Sequence, residues 1–145
     1  GWSGLAAGSD IIAASVLKTT DPGYYRWDWA NDRAGEWVPV PPGAKIIEGA
    51  GAVTAETLRA ASISDPRVAA IMLTGEATTR YRRAMRRDPY YEPYWEMWAE
   101  QEKRHYAVQS QGLGDLVPTL WIDTTGLDAG QVVRRAYDFI TYYVE

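Results

Sequence analysis

Apolar positions at Leu5, Ile12, Ala13, Val16 and Leu17 leave one buried stripe and predict a helix over 5–18, stopped by Asp21-Pro22-Gly23. Residues 24–37 crowd aromatic and charged side chains without a helical period and read as extended or looped. The run Val38-Pro39-Val40-Pro41-Pro42-Gly43 excludes helix and central strand, because proline lacks the N–H that both need. Residues 45–50, apolar at Ile46 and Ile47, predict a short buried strand that ends in Glu48 and a glycine turn. A short helix over 54–61 follows, with Thr54 as N-cap and Glu56 and Arg59 toward solvent. After Asp65-Pro66, residues 68–73 are continuously apolar, as in a parallel strand covered on both faces. A helix over 78–87, closed by Asp88-Pro89, a second helix over 94–108, a third strand over 120–123 and an amphipathic helix over 129–143 complete the chain. Strands alternating with helices indicate an α/β fold with a mainly parallel sheet. The chain reads as one domain, its proline-rich stretch a surface loop.

Composition narrows the function classes. A length of 145 residues suits a single domain with a sizeable core. A formal charge of −4 argues against general nucleic-acid binding, which uses a basic surface. Cysteine is absent, so there is no disulfide framework or thiolate metal site, which fits a cytoplasmic protein. The single histidine, His105, rules out a multi-histidine metal site within one chain. No apolar run reaches the roughly 20 residues that span a bilayer, so no membrane partner is expected. Seven Trp and ten Tyr stand against one Phe. Rings with a polar tip favour interfaces and ligand pockets over plain core.

Two stretches carry candidate chemistry. Glu48, at the end of the expected strand and beside Gly49 and Gly51, is placed to hold a metal or order water where open α/β sheets bind ligands. A strand-terminal Glu that merely bonds nearby backbone is the competing reading. The helix over 78–87 packs Arg80, Arg82, Arg83, Arg86 and Arg87 into eight residues. Pairs Arg82/Arg86 and Arg83/Arg87 repel across adjacent turns, which an anion would relieve; a solvated cationic face is the plain alternative. Trp95, Trp98 and Glu102 share one helix face and read as core or interface, His105 as a surface or satisfied polar histidine, and Asp123 as a loop cap.

With these residues in place, the chain resembles the uridine kinase-like branch of the P-loop nucleoside kinases, the bacterial uridine kinase-like ATP-binding proteins. The likeness runs from Gly1-Trp2-Ser3-Gly4-Leu5 through Tyr24-Tyr25-Arg26-Trp27-Asp28-Trp29, Ile46-Ile47-Glu48-Gly49, the arginine helix and Trp95-Glu96-Met97-Trp98-Ala99-Glu100-Gln101-Glu102. The resemblance implies a three-layer α/β/α fold with a parallel sheet of P-loop kinase type. That fold is incomplete here: its first two strands and phosphate loop precede Gly1, and no G-x-x-x-x-G-K-[ST] occurs in the sequence. It implies a substrate segment at about 20–40, in which Tyr25, Trp27, Asp28, Trp29 and Arg33 grip a nucleoside-like small molecule. It implies a lid at about 78–94 in which Arg83 and Arg87 act on the transferred phosphoryl and Arg80 and Arg86 hold ATP. Glu48 is then the acidic residue near magnesium.

In that fold the absent first strand lies between those around Ile47 and Ile71. Unpaired buried backbone groups cost roughly 1–3 kcal/mol each, so such a gap closes. The expected routes are a preceding segment of a longer product, direct pairing of the two flanking strands, or a homodimer. The leading expectation is the substrate and lid portion of an ATP-dependent nucleoside kinase, inactive as this polypeptide alone. A non-catalytic nucleoside-binding remnant and a Trp/Tyr-rich carbohydrate-binding domain are the competing readings.

Overall fold

The structure, a computed structural model, describes residues 4–144; the Gly1-Trp2-Ser3 part of the resemblance lies outside them. Helix α1 (Gly4–Ile11) continues as a π-helical turn (Ile12–Val16), closed by Leu17 N–H donating to Ile12 O at 2.9 Å. The helix expected over 5–18 is therefore present, widened in its last turn. Ser9, buried on α1, donates to Gly51 O at 2.5 Å. A Cβ at Gly51 would sit 2.6 Å from Leu5 O, so only glycine allows this contact between α1 and the 49–52 loop.

Strands β1 (Gly23–Asp28) and β2 (Arg33–Pro39) pair antiparallel as a hairpin. The register slips by one between Tyr25 and Trp27, a bulge that turns successive side chains. Trp37 covers Gly23, where a Cβ would meet the indole at 2.3 Å. Pro39 ends β2, and no helix forms in the proline-rich run, as its residues dictate.

Residues 45–50 form no strand, correcting the sequence-based expectation. Ile46 is 92% exposed and Glu48 lies on an exposed loop. Gly43 (φ +102°) and Gly49 (φ +145°) bracket the segment with backbone outside the strand region. A strand also needs a hydrogen-bonding neighbour, and among the described residues β3 pairs only with β4.

Helix α2 (Ala55–Ser64) opens on the anticipated Thr54 cap: Thr57 N–H donates to Thr54 Oγ1 at 3.2 Å, and Thr54 N–H donates to Thr57 Oγ1 at 2.9 Å. Strands β3 (Ala70–Thr74) and β4 (Thr119–Asp123) run parallel in register, joined by α3 (Ala77–Arg87), a 3-10 turn (Pro89–Tyr94), α4 (Trp95–Gln109) and α5 (Leu113–Leu116). Helix α6 (Ala129–Val144) packs against β4. The architecture is mixed α/β with two two-stranded sheets, one antiparallel and one parallel, rather than a single mainly parallel sheet. Leu58, Ala70, Met72, Leu113 and Val117 form the buried core, with Val53, Val68 and Tyr106 against it. The apolar run over 68–73 is covered unevenly. Directly paired residues of parallel strands share a face, yet Ile122 is 1% exposed where its partner Leu73 is 59% exposed. No helix among the described residues is long and apolar enough to cross a membrane.

Candidate ligand-binding site

Helix α3 starts three residues beyond β3, and its Arg80 and Arg83 sit beside the carboxyl ends of the parallel strands. There Asp123 accepts from Thr125 N–H at 2.9 Å and Thr125 Oγ1–H at 2.6 Å. These bonds hold its carboxyl below the usual carboxylate range, side-chain bond first. Asp123 is thus the loop cap its position suggested. Arg83 reaches into the same loop, donating to Thr124 Oγ1 at 3.0 Å, Thr124 O at 2.8 Å and Leu127 O at 3.1 Å. Its guanidinium is spent on carbonyls and stitches α3 to the β4–α6 connection. Arg80 is engaged as well, ion-paired with Glu102 of α4 and 5.8 Å from the Trp95 ring centre.

Three guanidiniums have neither a carboxylate nor the loop bonds that hold Arg83 among the described residues. Arg82 makes only a 3.5 Å bond to Thr78 O, Arg86 projects into solvent, and Arg87 lies over the Tyr91 ring at 5.9 Å. Helix α3 contains no acidic residue, so these charges stay uncompensated on its own surface. The like-charge crowding read from the sequence is therefore relieved at two arginines by protein groups and left open at three.

Between α3 and α4 lies a half-open cleft of about 210 Å³ lined by the rings of Tyr91, Trp95 and Trp98, by Ala84 and Ala99, and by Arg87 and the Arg80–Glu102 pair. The rings brace one another: Tyr91 meets Trp98 edge-on at 5.0 Å, Tyr94 stacks on Trp98 at 5.7 Å and Tyr81 meets Trp95 edge-on at 5.5 Å. Tyr81 donates its hydroxyl to Glu92 Oε1 at 2.9 Å, which raises the phenol above its usual range. Reading Trp95, Trp98 and Glu102 as a core or interface face did not single out this cleft. The signal was present in their shared face and in the small Ala84 and Ala99 that line the same groove.

The hairpin brings Trp27, Asp28, Trp29 and Arg33 together near its tip, while Tyr25 lies further along the strands, opposite Trp37. Trp29 is 76% exposed, and an open concavity of about 430 Å³ runs between Trp27, Trp29 and the Arg26–Glu36 ion pair. Asp28 is committed to the turn: it accepts from Ala30 N–H, Asn31 N–H and, at 2.7 Å, Asn31 Nδ2–H. The Asn31 side chain leads in lowering its acidity range. Arg33 lies 3.8 Å from the same carboxylate. Tyr25 packs edge-on against Trp37 at 5.0 Å.

Glu48 joins neither group; its carboxylate has no hydrogen-bond or ion-pair partner among the described residues. Nor do three or more His, Cys, Asp or Glu gather among the described residues where they could hold a metal ion. His105 differs from expectation too: its Nε2 is buried without a hydrogen-bond partner, and burial pushes its acidity range down. No protein-family model, curated protein or solved structure matches the chain.

Proposed function

We propose that this chain is the substrate- and lid-bearing portion of an ATP-dependent, uridine-like nucleoside kinase, competent for γ-phosphoryl transfer to a hydroxyl when a phosphate-binding loop accompanies it. The observation that supports the reading is α3 itself: an arginine helix rising from the carboxyl end of a parallel strand, pinned there by Arg83 while Arg82, Arg86 and Arg87 stay free for phosphate oxygens. The hairpin adds exposed indoles at Trp27 and Trp29, each able to stack on a nucleobase. Asp28 and Arg33 serve by fixing the turn that presents those indoles. Magnesium carried by ATP neutralises phosphate charge; no step is assigned to Glu48 through it.

A non-catalytic nucleoside-binding module is the second reading, favoured by the isolation of Glu48 and by the carbonyl bonds that occupy Arg83. Thermal shift separates the outcomes, since a ligand that binds only the native form raises its melting point. Uridine is expected to raise it in the wild type and not in Trp27→Ala/Trp29→Ala. ATP is expected to raise it at low salt and not in the Arg82→Gln/Arg86→Gln/Arg87→Gln variant. Uridine binding without any ATP effect supports the second reading. Silence toward both ligands removes both.

A further inference from the structure

We infer that the cleft between α3 and α4 is a binding site for a small aromatic acid: one planar ring carrying a single phosphate or carboxylate. The inference shares Arg87 with the kinase reading but uses neither the hairpin nor ATP. Ala84 and Ala99 both line a half-open groove of about 210 Å³ between α3 and α4. That volume is below the range of about 300–1,000 Å³ common for drug-sized ligands, and suits one ring with its substituent.

The walls dictate the ring. Tyr91 and Trp98 meet edge-on, Tyr94 stacks on Trp98 and Tyr81 meets Trp95 edge-on, so admitting another aromatic ring orders few loose side chains. The rim dictates the acid. Arg87 sits at the cleft with no carboxylate partner among the described residues, while Arg80 is already neutralised by Glu102. A neutral ring would gain nothing from the exposed Arg87, and a cationic ring would be repelled by a helix carrying five arginines and no acid. A ring-linked anion satisfies both walls and rim.

Phenyl phosphate tests this on the full chain, with inorganic phosphate and benzyl alcohol as the acid-only and ring-only probes. Calorimetry should find one phenyl phosphate site at least about tenfold tighter than either probe alone, the equivalent of about 1.4 kcal/mol. The indole N–H resonances of Trp95 and Trp98, assigned through Trp→Phe variants, should shift while those of Trp27 and Trp29 stay still. Arg87→Gln should weaken phenyl phosphate about tenfold and leave benzyl alcohol unchanged. Ala99→Leu should abolish binding by filling the cleft, with Ala84→Leu as a second filling variant should the first perturb folding. Benzoate binding comparable to phenyl phosphate would assign a carboxylate as an equal occupant. Phosphate binding as tightly as phenyl phosphate, no binding by any probe, shifts confined to Trp27 and Trp29, or a folded filling variant that binds normally would each overturn the site.

Discussion

His105 couples residue chemistry to stability through one buried nitrogen. Its Nε2 has no partner to compensate lost water, so the folded protein favours the neutral ring and the folded-state pKa falls below the ordinary 6.5. The unfolded chain therefore binds the proton more readily, and stability declines as pH drops through 6.5 toward the folded value. Urea midpoints should fall between pH 7.5 and 5.5 in the wild type, and His105→Leu should flatten that slope. Asp28, Asp65 and Asp123 act in a separate window. Their folded pKa values lie below 3.8, so the stability they lend is present above 3.8 and lost as pH falls through those lower values. A slope near pH 6.5 that survives His105→Leu would assign the effect to another group. Thr54 supplies a second residue-scale prediction. Its hydroxyl accepts from Thr57 N–H inside a buried cap, so Thr54→Ala should cost about 1 kcal/mol with an unchanged urea m-value.

At the scale of elements, the chain's own pattern reveals helices better than strands. The Thr54 cap, the Asp88-Pro89 stop and the apolar stripe near Leu5 are local signals, and α1, α2 and α3 follow them. Residues 45–50 carry strand-like side chains, but a strand is completed by a neighbour, which no local pattern encodes. The aromatic run 24–37 became a hairpin through a turn that Asp28 builds with Asn31, a signal visible only once the flanking segments are known to pair. The candidate site divides the same way. Exposed arginines on α3 and indoles at the hairpin were readable from residue type. The binding of Arg83 to carbonyls and of Arg80 to Glu102 required tertiary placement. Gly51 makes this dependence measurable. A methyl there must push Leu5 O away by several tenths of an ångström, and so part α1 from the 49–52 loop. Gly51→Ala should cost about 1–3 kcal/mol by overpacking, read as a lower urea midpoint. Gly126→Ala, with open space around its Cβ position, should cost markedly less.

For the whole molecule, the decisive quantity is how much of a phosphoryl-transfer machine these elements can supply. Transfer from ATP relies on placement as much as on charge: backbone N–H groups and a lysine cradle the β- and γ-phosphates, and a hydroxyl helps to hold the metal. The sequence has no G-x-x-x-x-G-K-[ST] to form such a cradle, and β3 passes through Thr74-Gly75-Glu76 directly into α3. Arg82, Arg86 and Arg87 offer charge on flexible stems at a helix surface, where ionic strength screens it within about 10 Å at 0.1 M salt. Charge without a cradle attracts ATP yet leaves the γ-phosphoryl unaligned with any hydroxyl. The 145-residue chain should therefore bind ATP weakly, lose that binding as salt rises from 50 to 500 mM, and release no ADP above the enzyme-free rate with 1 mM uridine and magnesium present. Uridine-dependent ADP release that disappears in Arg82→Gln/Arg86→Gln/Arg87→Gln would place a complete transfer site within these elements. The requirement for an accompanying phosphate-binding loop would then fall.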